Sequence, residues 1–241
     1  MRAAHGRLKG LTATREFTSP YRLKRTPYSS HSVLMRLFPE EGKGATVLDV
    51  GCGTGYLAVI LADRGFRVTG IERAGGYGPN FPERVELIEA DLEQGLPDLP
   101  RRFDYVLAAD VLEHFRRPDL LLEQLRSVMA PGGRLIASVP NSGNLYFRLN
   151  ILCGRFPQHD TGLFDRTHVR FYMLDGWRDL LVKAGFRIDW LGVTGIPFSS
   201  AFPRYADSLM VRAAERISYD LARLWKTMFA YQFIASARPQ F

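Results

Sequence analysis

Val47-Leu48-Asp49-Val50-Gly51-Cys52-Gly53-Thr54-Gly55-Tyr56 is an apolar run that passes directly into three glycines at alternate positions. Such a stretch reads as a buried strand, a tight turn and the first residue of a helix. Glycine lets the backbone turn sharply and lets a ligand approach with no Cβ in the way. A dinucleotide-binding turn would read G-x-G-x-x-G and seat a pyrophosphate on the helix N-terminus. Here the third glycine comes one residue early, and Asp49 stands at the strand end, where a carboxylate opposes a pyrophosphate but can hold an ammonium group. The pattern favours a cationic ligand and counts against a nucleotide-linked oxidoreductase.

Outward from this turn, short β-branched runs alternate with segments of helical period, the pattern of βαβ units and a mainly parallel sheet. Strands are expected at 46–50, 67–71, 85–89, 105–109, 134–139, 186–193 and 231–235. Helices are expected at 56–64, at 118–128 with Pro131-Gly132-Gly133 as its stop signal, and at 175–185. Right-handed crossovers should wind these into an open sheet with helices on both faces and a ligand site at the carboxyl ends of the strands. Between the last two strands, Ala206, Leu209, Met210, Ala213, Ile217, Leu221, Leu224, Trp225 and Met228 form a helical stripe over 205–229.

Two further acids fall at strand ends. Glu72 closes Val68-Thr69-Gly70-Ile71-Glu72, about 20 residues past the loop, a spacing that places a carboxylate on vicinal ribose hydroxyls. Asp91-Leu92 follows the third strand, and Asp110 ends the fourth in Tyr105-Val106-Leu107-Ala108-Ala109-Asp110-Val111-Leu112-Glu113-His114. Together these segments resemble, in order and spacing, the class I S-adenosylmethionine (SAM)-dependent methyltransferases of the small-molecule type, related to the ubiquinone-biosynthesis O-methyltransferases. The resemblance covers 46–193 and implies a Rossmann-like α/β fold with a seven-stranded, mainly parallel sheet whose last strand is antiparallel. It implies SAM as cofactor, with Gly51, Cys52, Gly53 and Gly55 giving backbone contacts and Asp49 lying near the donor's amino group. Glu72 would then meet the ribose, Asp91 and Leu92 the adenine, and Asp110 the donor from the fourth strand. An upstream aromatic closes over the donor in related enzymes, and Tyr28 is the residue expected there.

Enzymes of this family that methylate exocyclic or amide nitrogens often carry Asn or Asp, then Pro-Pro and an aromatic, after the fourth strand. Asp110-Val111-Leu112-Glu113 lacks that signature, which lowers DNA bases and side-chain amides as substrates. Methyl transfer is an in-line displacement that rests on alignment. A hydroxyl acceptor must also lose a proton, for which imidazole is suited near neutral pH. His114 and His168 are the two candidate catalytic bases. The expected acceptor is a small or lipid-like molecule, with no nucleic acid and no metal.

The 140–167 connection carries Leu145, Phe147, Leu149, Ile151, Leu152 and Phe156 with Arg148 and Arg155, and is expected to form a lid over a greasy pocket. The helical stripe at about 203–229 departs from the family's usual tighter connection and leaves three readings open: packing on the body, a homodimer seam, or contact with a membrane surface. The domain at 46–241 follows a basic arm and cap helix at 1–45. Within residues 1–36, Arg2, Arg7, Lys9, Arg15, Arg22, Lys24, Arg25 and Arg36 oppose a single acid, Glu16, so this stretch carries the whole net charge of +7. It reads as a solvated tail or as a contact to an anionic substrate or lipid, and loosely resembles an organellar transit peptide. Cys52 and Cys153 are too few for a disulfide framework, and no apolar run is long enough to span a bilayer, which together suggest a cytoplasmic protein. A SAM-binding module without transfer activity is the rival from another class, and an RNA or protein methyltransferase using the basic arm is a further one.

Overall fold

The computed structural model describes residues 26–99 and 101–240; of the basic residues named in the N-terminal arm, only Arg36 lies among them. The sheet has seven strands, β1 (Thr46–Val50), β2 (Arg67–Glu72), β3 (Glu86–Glu89), β4 (Phe103–Ala109), β5 (Met129–Pro140), β6 (Phe186–Val193) and β7 (Gln232–Pro239), in the order β3-β2-β1-β4-β5-β7-β6. β1 pairs in parallel with β2 and β4, whereas β7 runs antiparallel between β5 and β6. This is the Rossmann-like α/β architecture expected. The helices are α1 (Ser30–Met35), α2 (Tyr56–Asp63), α3 (Pro118–Ser127), α4 (Leu145–Leu152), α5 (Leu174–Lys183), α6 (Phe198–Ala201), α7 (Leu209–Leu224) and α8 (Lys226–Phe229).

Neighbouring strand residues divide between two hydrophobic clusters. Leu48 and Val50 of β1, Val106 of β4, Leu135 and Ala137 of β5 and Phe233 of β7 pack with Leu122 of α3 and Trp177 of α5. Val47, Leu107, Ile136 and Ile234, their alternates, pack with α1 and with Leu57 and Leu61 of α2. The two-residue period of a strand makes these the two faces of one sheet, and covering both explains why β1 is apolar almost throughout.

Two expectations need correction. Pro131-Gly132-Gly133 does not stop α3, which ends at Ser127; it lies within β5. Pairing with β4 jumps from Phe103↔Met129 to Tyr105↔Arg134, so the triplet is the extra length of an irregular register, with Gly132 at φ 78°. The helix expected over 205–229 begins at Leu209 and breaks at Trp225, whose φ of −135° and ψ of 81° are not helical. Its apolar stripe points outward: Leu209, Met210, Ile217, Leu221, Leu224 and Trp225 are exposed, while Glu215 and Ala222 are buried.

Candidate active site

Strand order reverses between β1 and β4, and such a switch point opens a crevice at the strands' carboxyl ends. The loop leaving β1 has Gly51, Gly53 and Gly55 at φ 66°, 53° and 75°, the left-handed region that other residues enter at a cost. Gly51 and Cys52 both donate their N–H groups to the Ile71 carbonyl, at 2.9 and 3.1 Å, which ties the loop to β2. Glu72, the last residue of β2, accepts from the Gly53 N–H at 2.8 Å and from the Arg73 N–H at 3.0 Å. The glycine loop and the acid that follows it in sequence thus meet.

Asp49 is buried at the end of β1, and its carboxyl is pushed up to about 8, first by burial and then by the charge of Glu72. Two acids pressed together at the mouth of a glycine turn are stabilised by a cation. Cys52 contributes its backbone to the loop, and its side chain turns inward, where a Cβ at Gly70 would lie 2.6 Å from Sγ. Burial, with Asp49 and Glu72 nearby, pushes its thiol up, away from the reactive thiolate.

Asp110, just after β4, has φ 54°, a left-handed backbone that Asp tolerates better than most residues. Its conformation is held from two other strands. Its Oδ1 accepts from Ser138 Oγ of β5 at 2.6 Å, and its Oδ2 from Gln232 Nε2 of β7 at 2.5 Å. Ser138 and Gln232 were not read from the sequence. The available signal was a polar residue inside each apolar strand, Ile136-Ala137-Ser138-Val139 and Gln232-Phe233-Ile234, and both prove buried.

The short 3-10 helix Leu112–His114 then carries His114 toward His168, with ring centroids 4.9 Å apart. His114 Nδ1 lies 3.2 Å from the Thr167 carbonyl and 3.0 Å from Thr167 Oγ1, while that hydroxyl donates to Asp165 Oδ1 at 2.6 Å. Since Thr167 gives its hydrogen to Asp165, both oxygens facing Nδ1 act as acceptors, so Nδ1 carries the proton and Nε2 keeps its lone pair. His168 is more deeply set. Burial, followed by the neighbouring His114, lowers it to about 4, so it is neutral at pH 7. Glu113 is buried with neither carboxylate oxygen hydrogen-bonded, and burial together with Asp110 raises it well above the usual carboxylate range. Glu113 approaches the neutral His168 imidazole to 3.9 Å. Glu113, His114 and His168 also offer ligand atoms within 4.8 Å of one another, a set that a divalent cation could occupy by driving Glu113 to its carboxylate.

A family model described as a methyltransferase domain matches residues 21–190. The chain belongs to this family, the class I SAM-dependent methyltransferases. The ubiquinone biosynthesis O-methyltransferase of Pseudomonas paraeruginosa is 35% identical over 107 residues, covering 41% of this chain and 45% of that protein. The enzyme of the same name from Stutzerimonas stutzeri is 29% identical over 178 residues, covering 68% of this chain and 74% of that one. The chain spans less than half the length of several of these relatives, the first among them. Among solved structures, the Haemonchus contortus phosphoethanolamine N-methyltransferase 2 with S-adenosyl-L-methionine superposes with a TM-score of 0.58 at 18% identity, covering 87% of this chain and 52% of that one; at that identity the likeness is one of fold.

The methyltransferase's loop suits its family's donor: glycines leave the backbone bare, and the Asp49–Glu72 pair matches a ligand that carries an ammonium and a sulfonium. Asp91 is exposed after β3, and its Oδ1 accepts from the Glu93 N–H at 3.1 Å, so it also caps its own turn. Leu92 is buried in the core cluster that includes Ile71 and Leu112. Tyr28 stacks on Tyr219 of α7 at 4.8 Å. From the same segment it is His31 that reaches the first residue of α2, with Nε2 3.2 Å from Tyr56 Oη. The Tyr56 hydroxyl is pushed up by burial and then by the charges of Asp110 and Asp49.

The 140–167 segment builds a small core of its own. Phe147 stacks on Phe164 at 4.4 Å, with Phe156 and Phe171 edge-on or tilted around them; Phe156 and Phe171 are exposed, as are Leu145, Leu149, Ile151 and Leu152. Tyr231 packs against this cluster, and its hydroxyl is raised to about 12, first by burial and then by the charge of Asp110.

The loop geometry predicts an order of sensitivity. At Gly51 a Cβ would fall 2.5 Å from Val111 Cγ2, while at Gly53 it would meet nothing within 4 Å. Gly51→Ala carries both backbone strain and a clash and should lower unfolding free energy by about 2–4 kcal/mol. Gly53→Ala should cost only the strain, about 1–2 kcal/mol. Urea titrations of the two variants test this, and equal losses would mean that Val111 yields.

Proposed function

We propose that the chain transfers the methyl group of SAM to an oxygen of a small or amphipathic acceptor. The observation that supports this reading most is the His114–Thr167–Asp165 chain, which leaves Nε2 as a proton acceptor just beyond the carboxyl end of β4. Forming the acceptor O–CH3 bond breaks the donor S–CH3 bond, with its electron pair passing to sulfur. The hydroxyl proton then goes to His114 Nε2. Alignment of donor and acceptor supplies the larger share of the rate. The oxygen preference draws support from the relatives named as O-methyltransferases. An amphipathic acceptor draws support from the aromatic cluster Phe147, Phe156, Phe164 and Phe171 and from Tyr231, which packs against it and feels the charge of Asp110.

Incubation of the full chain with methyl-labelled SAM and a cell extract, followed by mass spectrometry, tests the proposal. Label is expected in a small organic-soluble product as an O-methyl group. Label in RNA or protein would overturn the choice of acceptor. Donor binding with no labelled product from any extract would favour a SAM-binding module.

A further inference from the structure

The outward stripe of α7 is held outward by its other face. Glu215 Oε1 accepts from the Ser199 N–H at 2.9 Å and from Ser199 Oγ at 2.6 Å, and Ser218 Oγ accepts from the Ile196 N–H at 2.9 Å. At Gly195 a Cβ would lie 2.8 Å from the Tyr219 backbone nitrogen, so the helix seats closely there. These anchors fix the rotation of α7 and leave Leu209, Met210 and Leu224 with 84%, 81% and 85% of their surfaces exposed, alongside Ile217 and Leu221. Positions 209, 210, 213, 217, 221 and 224 follow the three-to-four spacing of one helix face. Arg212, Arg216 and Arg223 run along one edge of that face, all exposed, with Arg216 paired to Asp220 at 2.9 Å. No helix among the described residues is long and apolar enough to cross a membrane, which leaves an interfacial placement for a face like this.

Charge decides what covers it. Tyr28 stacks on Tyr219, and Arg216 donates to its hydroxyl at 3.3 Å, so the described chain begins against α7. The 25 residues that precede carry Arg2, Arg7, Lys9, Arg15, Arg22, Lys24 and Arg25 against Glu16 alone. A second copy would bring two arginine edges toward each other, whereas an anionic bilayer meets apolar stripe and positive charge together. We propose that α7 is an interfacial helix that lays its Leu209–Leu224 stripe into an anionic lipid surface, with its arginine edge at the headgroups. The inference is independent of the methyl acceptor.

Flotation of the full chain with vesicles tests it, using phosphatidylcholine alone or with about 30% phosphatidylglycerol. The expected result is binding to the anionic vesicles at least about tenfold above the neutral ones, weakened by about 0.5 M salt. The double variant Leu209→Asp, Leu224→Asp, altered at two solvent-facing positions, should lose that binding while its melting temperature and donor affinity hold. Absence of vesicle binding, or binding unchanged in the double variant, overturns the proposal. A concentration-dependent dimer that the double variant dissolves, with no vesicle binding, overturns it in favour of a second copy.

Discussion

Replacing His114 with glutamine is expected to lower kcat by about two to four orders of magnitude, the range for loss of a general base. The donor's dissociation constant should change less than about twofold, since a residue that acts only on the acceptor proton adds nothing to donor binding. The hydrogen bonds on Nδ1 give the expectation its detail. Thr167→Val removes the hydroxyl that links Asp165 to His114 but leaves the Thr167 carbonyl, so a smaller loss, of about tenfold, should follow. His168 supplies the control. At about 4 it is neutral across the working range yet a weak base, so a kcat/KM profile falling only below pH 5 would point to His168 instead. Stopped assays of the unaltered chain and the two variants against pH separate these cases, and a His114→Gln enzyme with undiminished kcat would remove the imidazole from the chemistry.

The second large effect is expected at Asp49. Removing one member of a buried, hydrogen-bonded charge pair costs about 2–5 kcal/mol, so Asp49→Asn should weaken SAM binding by about 30-fold to several thousandfold. The pH dependence follows from the raised carboxyl. In the empty site Asp49 holds its proton up to about pH 8, and an ammonium partner requires the ionised form. Donor affinity should therefore rise as pH climbs from 6 to 8, approaching tenfold per unit at the low end. It should fall again above pH 8, where an α-amino group, with a pKa of about 8, loses its own charge. In Asp49→Asn the rising limb should vanish, and calorimetric titration at several pH values would show whether it does.

The parts of this architecture legible in the chain are those written in local patterns. The Val47–Val50 run, the alternate glycines and the strand-end acids Asp49, Glu72 and Asp110 all sit within one βα unit or at a strand terminus, so order and spacing suffice to place them. Residues brought together from distant strands were hidden. Gln232 reaches Asp110 only because β7 inserts between β5 and β6, and no local rule assigns a partner 122 positions away. The stacking of Tyr28 on Tyr219 of α7 was hidden for the same reason. The α7 stripe shows a different limit. Periodicity reveals that a helix has an apolar side but not which side faces inward, and here Glu215 and Ser218, through their partners Ser199 and Ile196, decide the rotation. Pro131-Gly132-Gly133 shows a third, since the same residues that stop a helix also permit an irregular strand.

The whole account turns on the crevice between β1 and β4 accepting a sulfonium nucleoside. Calorimetric titration of the purified full chain at pH 8 with SAM, and separately with S-adenosylhomocysteine, measures this directly. One site per chain is predicted for each, with dissociation constants in the range of about 1 μM to 1 mM typical of enzyme substrates. Folded protein that gives neither heat nor a melting shift with either compound would contradict it.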